Sequence, residues 1–223
     1  MPVHTCLLQP AFRENAGFFP VSGVLPAAEI NESAALPAAK EAFLMEEKNG
    51  RIAVRMEEIS EAARRLRAGD NILLSGVIYT ARDAAHKRIA ALLDEGAPLP
   101  FPLHGSAIYY AGPTPAPEGL PIGSCGPTTS SRMDVFTPRL LDLGLSAMIG
   151  KGGRSPAVCE AIRRNQAVYL CALGGAGALA AQAVRSVEVI AFEDLGCESV
   201  KRLVVEDFPL VVGIDCAGGS LFR

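Results

Sequence analysis

A chain of 223 residues that is 49% hydrophobic and 20% charged can bury the core of one ordinary domain, which excludes wholesale disorder. Its formal net charge of −3 argues against the clustered basic surface of a nucleic-acid binder. No apolar run reaches the roughly 18–20 residues that span a bilayer, and the opening MPVHTCLLQP lacks the basic and apolar stretches of a secretory leader. The expectation is a soluble, cytoplasmic protein with neither a nucleic-acid nor a membrane partner.

Residues 1–50 carry five prolines, many alanines and no lasting hydrophobic period. They read as a loosely ordered N-terminal extension. From 51 to 223, strand and helix signals alternate. RIAVR at 51–55 reads as a strand, and Ile59, Ala62, Ala63 and Leu66 give 56–67 a helical period. NILLSGVIY at 71–79 is a strand, and Thr80 is placed to cap a helix over 81–93. SAIYYA at 106–111 is the next strand, followed by a Pro/Gly loop. A helix is expected near 132–143, a strand at 147–150, and a helix over 155–165 with Ser155 as cap and Pro156 at its first position. After a strand at 167–173 come a helix at 177–184, a strand at 187–192 and two separate strands, 200–205 and 210–214. Strands joined by crossover helices make a single compact α/β domain over 51–223. In such folds the turns that join strand ends to helix starts carry ligand groups.

Six cysteines, at 6, 125, 159, 171, 197 and 216, show no C-x-x-C spacing. They read as reduced thiols, with no metal site formed by this chain alone. Three segments can carry chemistry. In YTARDAAHKR, Arg82 lies in the first turn of a helix, where free N–H groups and the helix dipole favour an anion, and His86 follows one turn later. The alternative is a solvated helix on which Asp83 pairs with Lys87. In GPTTSSRMD, four hydroxyls precede Arg132 and suit a carboxylate or phosphate, or serve only as helix caps. Lys151-Gly152-Gly153-Arg154 ends a strand, either as a close-approach ligand loop or as an ordinary glycine turn. A rival is the G-x-G-x-x-A pattern of Gly175, Gly177 and Ala180, with Glu193 about twenty residues on, which matches a dinucleotide-binding fingerprint.

The stretches LLSGVIYTARDAAHKRI, IYYAGPTP, GPTTSSRMDVFTPRLLDLGLSAMIGKG, EDLG and VEDFPLVV occur in this order. Together they resemble the β subunit of the iron–sulfur hydro-lyases, the class I fumarate hydratases and L-tartrate dehydratases. The resemblance runs from about residue 50 to the C-terminus. YTARDAAHKR is more similar to the fumarase branch. One stretch departs: where the family often carries a Gly-Asn pair, this chain has Asp215-Cys216-Ala217-Gly218-Gly219-Ser220. The resemblance implies a swivelling β/β/α domain, a small dicarboxylate substrate and hydration of fumarate to (S)-malate, with tartrate dehydration as the alternative. It also implies a partner α subunit that holds a [4Fe–4S] cluster, within a higher oligomer. By the same resemblance Arg82, Arg132 and Lys151 bind substrate, Thr128 is the catalytic base, and His86, Thr129 and Gly126 are supporting residues.

Overall fold

The computed structural model describes residues 46–222. The expected loosely ordered extension lies outside the described residues as far as residue 45. Its last residues belong to the sheet: β1 (Glu47–Lys48) pairs antiparallel with β2 (Arg51–Arg55) across Asn49-Gly50, both at positive φ, the signature of a tight hairpin turn.

A short 3₁₀ turn (Met56–Glu58) leads into α1 (Ile59–Arg65), burying Ile59, Ala62 and Ala63 as the period requires. Then follow β3 (Asn71–Thr80), α2 (Asp83–Asp94), β4 (Ala107–Tyr109), α3 (Thr137–Asp142), β5 (Ala147–Gly150), α4 (Pro156–Asn165) and β6 (Val168–Cys171). The chain ends with α5 (Gly177–Gln182), β7 (Val184–Ala191) and β8 (Val200–Ile214). Strands β2 to β6 pair in parallel in chain order. β8 runs antiparallel to both β6 and β3, so β3-β4-β5-β6-β8 form a closed ring and β7 adds to β8 outside it. The fold is a mixed α/β domain around a barrel-like sheet. No helix among the described residues is long and apolar enough to cross a membrane.

Side-chain alternation along these strands separates two cores. Ala107, Tyr109, Ala147, Ile149, Val168 and Leu170 belong to one. The residues between them, Ile108, Met148 and Tyr169, join the other with Ala85 and Ile89 of α2 and Ala161 and Ile162 of α4.

Several sequence expectations shift: α5 stops at Gln182 rather than at 184, and β7 begins at Val184 rather than at 187. Thr80 does not cap the second helix: it ends β3, buried, its hydroxyl donating to Ser199 O and accepting from Lys201 N. The helix starts at Asp83 with Arg82 as N-cap. The helix expected over 132–143 is a 3₁₀ turn (Ser130–Met133) and then α3, whose start carries Pro138. The strands expected at 200–205 and 210–214 are one strand. Its Asp207, at positive φ, sits opposite a register shift between Leu74 and Gly76, a bulge rather than a break. Pro209 is tolerated because β7 pairing ends at Val205 and β6 pairing begins at Val211. Ser155 caps α4 as expected, accepting from Val158 N.

The end of β5 tests this packing. A Cβ on Gly150 would meet Ser130 Oγ and, at 2.9 Å, Tyr110 Cδ2, and both neighbours are fully buried. Gly150→Ala should lower stability by about 1–3 kcal/mol, the usual cost of overpacking, read as a fall in the urea midpoint. Gly153→Ala, whose Cβ would stand at an ordinary 3.5 Å from Phe222, should stay within about 0.5 kcal/mol.

Candidate functional site

The parallel register brings the carboxyl ends of β3, β4, β5 and β6 to one edge of the sheet. Arg82 follows β3, Gly112 follows β4, Lys151 follows β5 and Gly174 follows β6. The segment from Gly126 to Arg132 is sewn across this edge. Thr128 N donates to Tyr110 O at 2.7 Å, Thr129 bridges Lys151, and Ser130 N donates to Lys151 O at 3.1 Å. Lys151 N returns a bond to the Ser130 hydroxyl, which also accepts from Tyr169 OH. Thr128, Thr129 and Lys151 are therefore neighbours on a backbone whose hydrogen bonds are already made. Among the described residues, neither the Thr128 hydroxyl nor the Lys151 ammonium has a side-chain or backbone partner.

Arg82 and Arg132 are joined through Asp83. Arg132 Nε donates to Asp83 Oδ1 at 2.8 Å and its Nη2 lies 2.7 Å from Oδ2, an ion pair with one hydrogen bond; Oδ2 is buried and accepts none among the described residues. Arg82 Nη2 stands 4.0 Å from the same Oδ2 and 3.3 Å from Glu198 Oε1. Asp83 thus turns to Arg132, and the pairing with Lys87 on a solvated helix does not form; Lys87 is exposed. Glu198 also accepts from Ala84 N at 3.2 Å, supplying at the start of α2 the acceptor expected from Thr80. Neither the link from Asp83 to Arg132 nor Glu198 is legible from local sequence.

His86 lies behind this edge rather than on it. It is fully buried between Tyr110 and Phe136. Nδ1 lies 2.9 Å from Arg82 O; a carbonyl only accepts, so Nδ1 carries the proton. Nε2 has no partner among the described residues. Burial pushes the imidazole down to about 4, so it is neutral at physiological pH. Arg154 is likewise internal: it pairs with Asp134 at 2.7 Å, donates to Thr137 Oγ1 at 2.8 Å and lies over the rings of Tyr110 and Tyr169. Gly126 packs against Gly177, where an added Cβ would stand 3.5 Å from Gly177 Cα.

That contact corrects the dinucleotide reading. A Cβ on Gly177 would meet Ser124 Oγ and, at 3.0 Å, Gly126 N, and Cys125 N donates to Gly177 O. Gly177 serves loop packing, and Gly175 sits at positive φ with open space beside it. The following strand, β7, pairs antiparallel with β8, so no parallel βαβ unit surrounds the pattern. Asp215, at the departure from the family pattern, is structural. Burial alone would raise its carboxyl, but N–H donors from Ala68, Gly219 and Ala217 hold it below the usual range.

Among the described residues no group of three or more His, Cys, Asp or Glu is placed to hold a metal, and Cys125, Cys159, Cys171, Cys197 and Cys216 are all free thiols. These residues do not fit the ligand set of an iron–sulfur cluster.

Arg82, Arg132 and Lys151 thus stand on one edge of a closed α/β sheet, and comparison with known proteins shows the family. The family model described as Fumarase C-terminus matches residues 24–223, and the chain belongs to that family. It is similar to fumarate hydratase 1, mitochondrial, of Leishmania major, 41% identical over 75% of this chain and 30% of the relative. It is also similar to the anaerobic class I fumarate hydratase of Escherichia coli, 38% identical over 75% of this chain and 31% of the relative. The L(+)-tartrate dehydratase subunit beta of Escherichia coli is 36% identical over 70% of this chain and 79% of that subunit. The chain spans about a third of the length of the fumarate hydratases it matches.

The buried His86 gives a pH test. Its folded pKa lies below the unfolded value near 6.5, so the unfolded chain binds more protons between those values. Stability contributed by neutral His86 is complete above about pH 6.5 and is lost as pH falls towards 4, by roughly 3 kcal/mol in all. Unfolding midpoints measured at pH 7 and pH 4.5 should show a smaller acid loss in His86→Gln than in the wild type. An equal loss in both would place the acid sensitivity elsewhere.

Proposed function

We propose that this chain is the β subunit of a [4Fe–4S]-dependent hydro-lyase, most closely a class I fumarate hydratase that interconverts fumarate plus water with (S)-malate. The observation that supports it is the assembly of Arg82, Arg132 and Lys151 with Thr128 on one sheet edge, in a chain of the fumarase C-terminus family. A fumarate dianion presents two carboxylates, and the planar guanidinium fork suits each. Asp83 and Glu198 offset part of the positive charge, and Lys151 retains its own. In this reading the cluster is held by a partner α subunit. The chain acts in the cytoplasm as part of a higher oligomer.

In this reading Arg82, Arg132 and Lys151 hold and orient the carboxylates. Developing negative charge next to the reacting carbon is met by the same cations without reorganisation. Thr128 moves the carbon-bound proton. Its N–H is committed to Tyr110 O, so the residue is fixed while its hydroxyl stays available. A threonine hydroxyl is a weak base, and neighbouring cations lower the cost of its deprotonation. His86 fixes the Arg82 carbonyl from within the core, and Thr129 and Gly126 shape the loop that carries Thr128.

Thr128→Ala should lower kcat by about 10²–10⁴, the range for losing a general acid or base, while KM changes far less. Thr128→Ser should keep much of the rate. Normal turnover by Thr128→Ala would move the proton transfer to another group. The second reading, an L(+)-tartrate dehydratase β subunit, is supported by the similarity to that relative, 36% identical over 70% of this chain. A substrate panel on the assembled complex should show preference for fumarate and (S)-malate; a preference for tartrate would reverse that order.

A further inference from the structure

Arg82 has its ion partner at the far end of the chain. Glu198 ends the turn Glu193–Glu198 between β7 and β8, which is bent by left-handed Phe192 and Gly196. One carboxylate oxygen lies 3.3 Å from Arg82 Nη2 and the other accepts from Ala84 N at 3.2 Å. The adjacent acid, Asp83, pairs with Arg132, its Oδ1 accepting from Nε, and its Oδ2 stays 4.0 Å from Arg82. Gly112 forms the opposite wall. A Cβ there would meet Arg82 Nη1 at 2.8 Å and Cδ at 2.9 Å, with Cys197 O at 3.3 Å. The guanidinium therefore lies in a slot between Gly112 and the Cys197-Glu198 backbone, its Nε buried and without a partner among the described residues.

We propose that Glu198 is a positioning residue for the hydration site. Its single carboxylate fixes both the Arg82 guanidinium and the first turn of α2, so that Arg82 meets a substrate carboxylate already oriented. The inference rests on the reading of Arg82 as a substrate-binding cation. A free arginine must give up rotamer freedom when it binds. One held by Glu198 has given it up on folding, and the gain appears as a lower KM.

The test pairs two readouts: KM and kcat for fumarate in the anaerobically assembled complex, and the Arg82 Nε–H resonance of the ¹⁵N-labelled full-length chain. Glu198→Ala should raise KM about tenfold, the scale of one lost charge-assisted hydrogen bond, with a smaller change in kcat. Glu198→Gln keeps an oxygen for Ala84 N–H and loses only the charge, so KM should rise about threefold; it carries the test if the alanine variant does not fold. Both variants should shift the Nε–H resonance. Lower stability with unchanged KM in both, while Arg82→Ala raises it, would overturn the proposal by leaving Glu198 a helix cap. An Nε–H resonance unmoved by either variant would overturn it too. If Arg82→Ala itself leaves KM unchanged, the functional reading of Arg82 is what fails, and the resonance alone decides whether Glu198 holds the side chain.

Discussion

The pairing of β3 with β8 is the constraint on which the rest depends. It runs from Asn71 opposite Val211 to Thr80 opposite Lys201 and converts a run of parallel strands into a closed ring. Closure gives the inward side chains one shared core and leaves the outward ones to the helices. The same register sets the site. With Thr80 opposite Lys201, the residues just before β8 stand beside the start of α2, which is how Glu198 reaches Arg82 and Ala84. A slip of one residue would reverse the faces of β3 and remove Glu198 from that helix end.

Grouping cations on one edge has an electrostatic cost that the chain meets with two carboxylates. Glu198, Arg82, Asp83 and Arg132 alternate in sign through contacts of 3.3, 4.0 and 2.7 Å. The side chains of Arg82, Asp83 and Glu198 are each about a quarter exposed or less, so these pairs are screened less than surface ones. Lys151 stands apart, anchored through its backbone to Ser130. The edge thus holds two arginines with fixed directions and one lysine with a free head. A neutral His86 adds no charge to the edge.

Local pattern carried much of the fold. RIAVR, NILLSGVIY and AMIG became strands within a residue of expectation, because alternating or continuous apolar runs have few other homes. Ser155-Pro156 marked the start of α4 for the same local reason. The failures were non-local. Thr80 looks like a cap, yet β3 needs it as a buried strand end, and the cap comes from Glu198. Glu206-Asp207-Phe208-Pro209 reads as a break, but pairing with β3 carries the strand through it as a bulge. Lys48-Asn49-Gly50-Arg51 is a hairpin signal overshadowed by the Pro/Ala-rich residues before it. Of the site, Arg82, Thr128, Arg132 and Lys151 stand out by type and setting. The acids that orient the arginines do not, because nothing in a window around Glu198 points to Arg82.

Reconstitution is the most direct test of the proposed half-site, which in that reading is completed by a partner. The full-length chain, alone and then assembled anaerobically with an α-type subunit carrying its cluster, would be offered fumarate while the loss of its absorbance is followed. The expected result is no turnover by the chain alone and sustained hydration once the two are combined. Turnover by the chain alone, or an assembled complex that takes neither fumarate nor tartrate, would contradict the hydro-lyase half-site.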